Sequence, residues 1–201
     1  MRQFQQIKKL ILGKLEKELP ARLTYHNLHH TLDVLQAAER IAVEEAIPEN
    51  DKELLLTAAL FHDTGFLKKR EGHEAESCNI AQYYLPSYGY TPAEIERVCS
   101  MIMATRIPQS PGDKMGRILC DADLDYLGRD DFFMLSARLF NELKNEGLVK
   151  NEEEWNREQA DFMGAHQYFS ASRVKLRQPV KAHYIELIKS KITNQLFNEN
   201  Q

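Results

Sequence analysis

Apolar residues recur at helical spacing from one end of the chain to the other. Phe4, Ile7, Leu10, Ile11 and Leu15 form one stripe, joined by the stem of Lys8, and Pro20 stops it. Leu32, Leu35, Ile41 and Val43 mark a second helix that ends before Pro48. Asp51 to His62 reads as a third. Its run Leu54-Leu55-Leu56-Thr57-Ala58-Ala59-Leu60-Phe61 is apolar nearly all round, which predicts a helix in the middle of a core. Gly65 follows and is expected to take the left-handed conformation that closes a helix. Further helices are predicted over Glu74–Leu85, Pro92–Thr105, Lys114–Asp123 and Asp130–Glu146. Thr91-Pro92-Ala93-Glu94 is a start signal, with a Thr cap, Pro at the first helical position and Glu at the third. A polar segment, Asn145–Asn156, precedes a last helical stretch, Glu158–Phe197, interrupted by Pro179. No stretch alternates like a strand, and Pro and Gly are sparse. The pattern predicts an all-α protein: one domain over residues 1–201, a multi-helix bundle with its body at about 20–130 and helices 131–201 packed on it. Trp155 is expected to pack the last helices onto that body.

Composition narrows the function classes. With 43% hydrophobic and 28% charged residues the chain is ordinary for a globular protein. The net charge is -4 and Lys and Arg are dispersed, so neither general nucleic-acid binding nor a membrane-surface partner is expected. Cys78, Cys99 and Cys120 are the only three cysteines and form no CxxC pair, which argues against a disulfide framework or thiolate zinc site. They read as small core residues, and a reducing interior suits them. Arg2, Lys8, Lys9 and Lys14 interrupt the apolar residues of the first fifteen positions, so these read as neither secretory signal nor membrane span. The expected location is cytoplasmic. The apolar N-terminal helix suits a homodimer contact or the core equally well.

Three constellations carry candidate chemistry. In Tyr25-His26-Asn27-Leu28-His29-His30, His26 and His30 are four apart, so a helix would place them on one face, while His29 reads as solvent-facing or behind the site. In Phe61-His62-Asp63-Thr64-Gly65, a buried helix ends in His-Asp, and a carboxylate in such a place needs a cation or a set of donors. Adjacent helical residues differ by about 100° in direction, so both reach one ion only if it lies at the helix end. The third is Cys120-Asp121-Ala122-Asp123-Leu124-Asp125 after an apolar run. Repulsion among three close carboxylates favours a nearby cation, although Asp125 reads as part of a solvated acidic turn. Two histidines with two aspartates suit a borderline divalent metal.

Tyr-His-Asn-x-x-His, then His-Asp, then Ala-Asp-Leu, spanning Tyr25 to Gly128, resembles the HD-domain superfamily of metal-dependent phosphohydrolases. The resemblance implies His30, His62, Asp63 and Asp123 as metal ligands. Asp123 is preferred to Asp121 because the family's last ligand stands in an Ala-Asp step. His26 matches the general acid of the cyclic-nucleotide phosphodiesterase branch, and Asp63 is implied as a helper that orients or deprotonates the attacking water. The implied cofactor is one divalent ion, Mn, Fe, Zn, Co, Ni or Mg. Met103-Ala104-Thr105-Arg106 stands where dinuclear members often carry another His, so one ion is favoured over two. His73 then reads as a substrate or supporting residue. Lys68, Lys69 and Arg70 follow the His-Asp step and can neutralise phosphate, or form a solvated basic turn. Arg106, His166 and Arg173 are further substrate candidates. The expected activity is hydrolysis of a phosphomonoester or phosphodiester, of a nucleotide or cyclic nucleotide, by a metal-activated water. A non-catalytic nucleotide-binding or sensor module is the alternative, and a di-iron oxygenase a third that needs more histidines.

Overall fold

The computed structural model describes residues 2–199, with side chains described for 2–193. Among the described residues ten α-helices follow one another: α1 Phe4–Glu18, α2 Leu28–Glu44, α3 Glu49–Phe61, α4 His73–Tyr84, α5 Pro92–Ala104, α6 Lys114–Asp123, α7 Phe132–Asn145, α8 Glu152–Ala165, α9 Ala171–Leu176 and α10 Gln178–Glu199. Thr64–Leu67, Leu85–Tyr88 and Asp125–Gly128 are single 3₁₀ turns, and no strand occurs among the described residues. Short polar side chains open several of the helices. Asn27, Thr91, Asp113 and Asn151 each accept a hydrogen bond from a backbone N–H two or three residues on. Glu94 returns the bond to the Thr91 N–H at 2.8 Å, completing the expected capping box.

The chain divides into two compact units, residues 1–124 and 125–201. In the first, α3 packs against α1, α2, α4, α5 and α6. This central place explains its apolar circumference: Leu54, Leu55, Ala58, Ala59, Leu60 and Phe61 are all buried. Each Leu, Ile or Phe so enclosed contributes about 1.5–3 kcal/mol relative to exposure. Ile7, Ile11 and Leu15 of α1 belong to the same core.

Two expectations fail here for local reasons. Gly65 does not adopt the left-handed conformation, since the glycines with positive φ are Gly72, Gly89 and Gly147. Its small size serves close approach instead: a Cβ at Gly65 would stand 2.0 Å from the carbonyl oxygen of His73. α2 starts at Leu28, so His26 lies ahead of the helix and shares no helical face with His30.

In the second unit, α10 packs against α8, α9 and the Asp125–Gly128 turn. The predicted stretch Glu158–Phe197 is three helices, and the polar segment before it already contains the start of α8 at Glu152. Pro179 stands in the first turn of α10, where its missing N–H has no intrahelical partner to lose, and so it opens this helix. Trp155 donates to Ser136 Oγ at 3.2 Å and stacks on Phe140, which joins α8 to α7. Asp125 is no solvated turn residue. It is fully buried, takes bonds from Arg173 Nη1 at 2.9 Å and from Arg177 Nε and Nη2 at 2.9 and 3.0 Å, and has Arg129 at 3.9 Å. Gly128 lets Arg177 come near, as a Cβ there would be 2.5 Å from the Arg177 carbonyl oxygen. No helix of the described residues is long and apolar enough to cross a membrane.

Candidate metal centre

Three helix ends in the first unit meet at one place. Asn27 caps α2 by accepting from the His29 N–H at 2.9 Å, while its own amide donates to the Thr24 carbonyl at 3.0 Å. This cap sets His30 in the first turn of α2, buried. At the end of α3, Thr64 Oγ1 donates to the Phe61 carbonyl at 2.8 Å and Ser77 Oγ to the His62 carbonyl at 2.6 Å. Carbonyls that a helix end leaves unpaired are thus satisfied, and His62 and Asp63 can stand at the terminus. Ser77 also accepts from the Gly65 N–H at 2.8 Å, so one hydroxyl holds the turn from both sides. Asp123 is the last residue of α6. The C-terminal ends of α3 and α6 both carry partial negative charge, which favours a cation between them.

The donor atoms converge. His30 Nε2 lies 3.3 Å from His62 Nε2, 3.3 Å from Asp63 Oδ2 and 3.1 Å from Asp123 Oδ1. His62 Nε2 lies 3.3 Å from Asp63 Oδ2 and 3.5 Å from Asp123 Oδ1. His30, His62 and Asp123 have their donor atoms all within 4.8 Å of one another, and Asp63 joins them through its contacts with both imidazoles. An ion about 2.0–2.2 Å from its ligands sets neighbouring donors roughly 2.9–3.5 Å apart, the spacing seen here. Two further observations fit a cation. His62 Nδ1 is 2.9 Å from the Ala59 carbonyl, which can only accept, so Nδ1 carries the proton and Nε2 offers a lone pair to the cluster. Asp63 Oδ2 is buried and accepts no hydrogen bond.

The charges reinforce one another. Burial alone would lower the pKa of His30, but the carboxylates of Asp123 and Asp63 beside it outweigh it and hold it up at about 9. His62 is also raised, because the same carboxylates overcome its burial. Burial would raise Asp63, yet its histidine neighbours hold it well below the ordinary carboxylate range. The same opposition holds Asp123 low.

Around the cluster stand His73 and a group of rings. His73 Nδ1 donates to the Arg70 carbonyl at 2.9 Å, and Nε2 lies 3.3 Å from Asp63 Oδ1. It therefore steadies the oxygen of Asp63 that faces away from the histidine pair. His26 is half-buried, with its ring centroid 5.8 Å from that of His30, and His29 is exposed.

The other sequence candidates separate. Lys68 is exposed and paired with Glu76 at 2.5 Å, and Lys69 and Arg106 are exposed. Arg173 does not offer its charge to a substrate: it is fully buried against Asp125. His166 lies beside Lys181, whose Nζ is 3.1 Å from His166 Nδ1. Burial lowers the pKa of that lysine to about 8. Sequence reasoning missed Ser77 and Phe66. An aromatic directly after the Thr-Gly step was a signal for Phe66, whereas nothing in the sequence singled out Ser77.

An all-helical chain that gathers two imidazoles and two carboxylates at buried helix ends has the donor set of a divalent-cation site. Residues 27–125 match the family model of the HD domain. An uncharacterized protein of Clostridium beijerinckii is 36% identical over 100 residues, a match that covers 48% of this chain and 62% of that relative's length. The fold is similar to the crystal structure of a predicted HD superfamily hydrolase from an uncultured Thermotogales bacterium, with TM-score 0.61 and 20% identity over 94% of this chain and 92% of that one. It is similar as well to Bacillus subtilis YpgQ in complex with ADP, with TM-score 0.62 and 19% identity over 95% and 96% of the two chains. Residues 27–125 belong to the HD-domain superfamily.

Proposed function

We propose that this protein is a metal-dependent phosphohydrolase that cleaves a phosphomonoester or phosphodiester of a nucleotide or cyclic nucleotide. The observation that carries the reading is the convergence of His30, His62, Asp63 and Asp123, with Asp63 Oδ2 buried and without a hydrogen bond. A divalent cation held there supplies a Lewis acid that acidifies the attacking water and offsets charge on the phosphoryl oxygens. This donor set accepts Mn, Fe, Zn, Co, Ni or Mg. Asp63, steadied through Oδ1 by His73, turns Oδ2 to the centre and orients the water. His26 protonates the leaving oxygen from beside His30. Lys69 and Arg106 are exposed cations available to a phosphate, while Lys68 is engaged with Glu76. The ADP held by YpgQ, a protein of similar fold, supports a nucleotide as the substrate class.

The test pairs metal analysis with turnover. Elemental analysis of the purified protein is expected to give about one divalent ion per chain, and Mn²⁺-supported hydrolysis of a nucleotide and cyclic-nucleotide panel is expected to vanish in Asp63→Ala. The same ADP complex favours one second reading, a nucleotide-binding module without turnover. Metal-loaded wild type that binds nucleotides by calorimetry and hydrolyses none would select that reading instead. Two irons per chain would point to oxygenase chemistry.

A further inference from the structure

Phe66 does no chemistry, yet its ring touches two of the imidazoles around the metal cluster. The His26 ring is stacked with it at 4.4 Å between centroids and 18° between planes, and His73 packs against it at 4.2 Å and 32°. The placement follows from the chain immediately after the ligands. The 3₁₀ turn Thr64–Leu67 swings Phe66 back beside the His62-Asp63 step, and it is buried there. Gly65 lets the start of α4 approach to a distance that a Cβ would forbid, and that approach brings His73 to the same ring.

His26 has a different problem from the ligands. His30 is fixed by α2, and His62 by its bond to Ala59, but His26 precedes the Asn27 cap and no helix holds it. Its ring meets Phe66, Tyr25 at 4.9 Å edge-on, and His30 at 5.8 Å. Of these only Phe66 meets it face to face. Stacking of this kind resists rotation of the imidazole about its own bond, and a proton donor must be aimed to work.

We propose that Phe66 is the positioning residue for His26, holding its imidazole in the plane from which it delivers a proton to the leaving group. This rests on the phosphohydrolase reading above. Phe66→Leu keeps apolar bulk and removes the stack; Phe66→Tyr keeps the ring.

In the metal-loaded protein, Phe66→Leu is expected to lower kcat roughly 10- to 100-fold, with KM and bound metal as in wild type, and Phe66→Tyr to restore most of it. The loss is expected to disappear in a His26→Ala background, because two residues acting through one step are not additive. It is also expected to shrink with a p-nitrophenyl ester, whose leaving group departs without a proton. An equal loss in both backgrounds, or metal lost together with activity, would overturn the proposal. Should wild type hydrolyse no phosphate ester, the phosphohydrolase reading fails, and proton NMR decides the positioning separately. His26 ring protons shifted upfield in wild type and released in Phe66→Leu uphold it, and identical shifts in both proteins sink it.

Discussion

Asp125→Asn tests the reading of the second unit. The substitution keeps the shape of the side chain and removes the negative charge shared by Arg173 and Arg177. Arg129 keeps a partner, because it is forked onto Asp131. Arg177 is 22% exposed and can turn its charge toward water. Arg173 cannot, since its side chain is fully enclosed and its Nη1 is bonded to Asp125. Removing one partner from a buried pair costs about 3–5 kcal/mol, mostly for the charge left behind. For a chain of 201 residues, that corresponds to a fall in melting temperature on the order of 10 °C. The pH dependence has a definite sign. Burial would raise the pKa of Asp125, but Arg177 and Arg173 hold it below 3.8. The ion pairs thus contribute fully above the unfolded value and are lost as pH falls through the depressed native one. Urea unfolding of wild type and variant should differ by several kcal/mol at neutral pH, with the gap closing in acid below the ordinary carboxylate range. Asp125→Leu combined with Arg173→Met should recover much of the loss, since neither charge remains to be desolvated. A difference under about 1 kcal/mol at neutral pH would refute the buried-cluster argument.

Three further outcomes probe the metal site. Ser77→Ala leaves the His62 carbonyl and the Gly65 N–H without their shared partner; it should cost about 1–3 kcal/mol and weaken metal binding about 10- to 100-fold, read by competition with a chelating dye. Gly65→Ala places a methyl 2.0 Å from the His73 carbonyl oxygen, so α4 must move away and titrations should show lost metal affinity, which an unchanged affinity would contradict. Stripping the protein with a chelator should lower its melting temperature, and restoring Mn²⁺ at about 100 times its Kd should return roughly 2.7 kcal/mol; melting curves indifferent to the metal would argue against ligation by the folded state.

Part of the donor chemistry was legible because polar groups interrupt an apolar pattern, whereas His30 and the choice of Asp123 came from the resemblance to the HD-domain superfamily. A His-Asp step at the end of Leu54–Phe61 and a cluster of aspartates after Ile118-Leu119-Cys120 are costly places for polar groups, and that cost marks them without choosing between Asp121 and Asp123. The helix-face argument for His26 and His30 failed even though their rings are neighbours, because the Asn27 cap starts α2 between them. Gly65 was noticed for the wrong property: what matters is the space beside it, set by the His73 backbone, and a φ preference cannot report that.

Asp125 shows the general limit. Its sequence neighbours suggest an acidic turn, while its cations lie 48 and 52 positions away in α9 and at its end. A run of residues declares which groups must be satisfied, but the partner of a long-range pair is chosen by packing. The same holds for Ser77, an unremarkable helix residue whose hydroxyl closes the turn that presents both His62 and Asp63. Local cost can therefore mark candidate ligands, whereas Ser77, which holds the turn at His62 and Asp63, and the contact of His73 with Asp63 come into view only when α4 is brought against the end of α3.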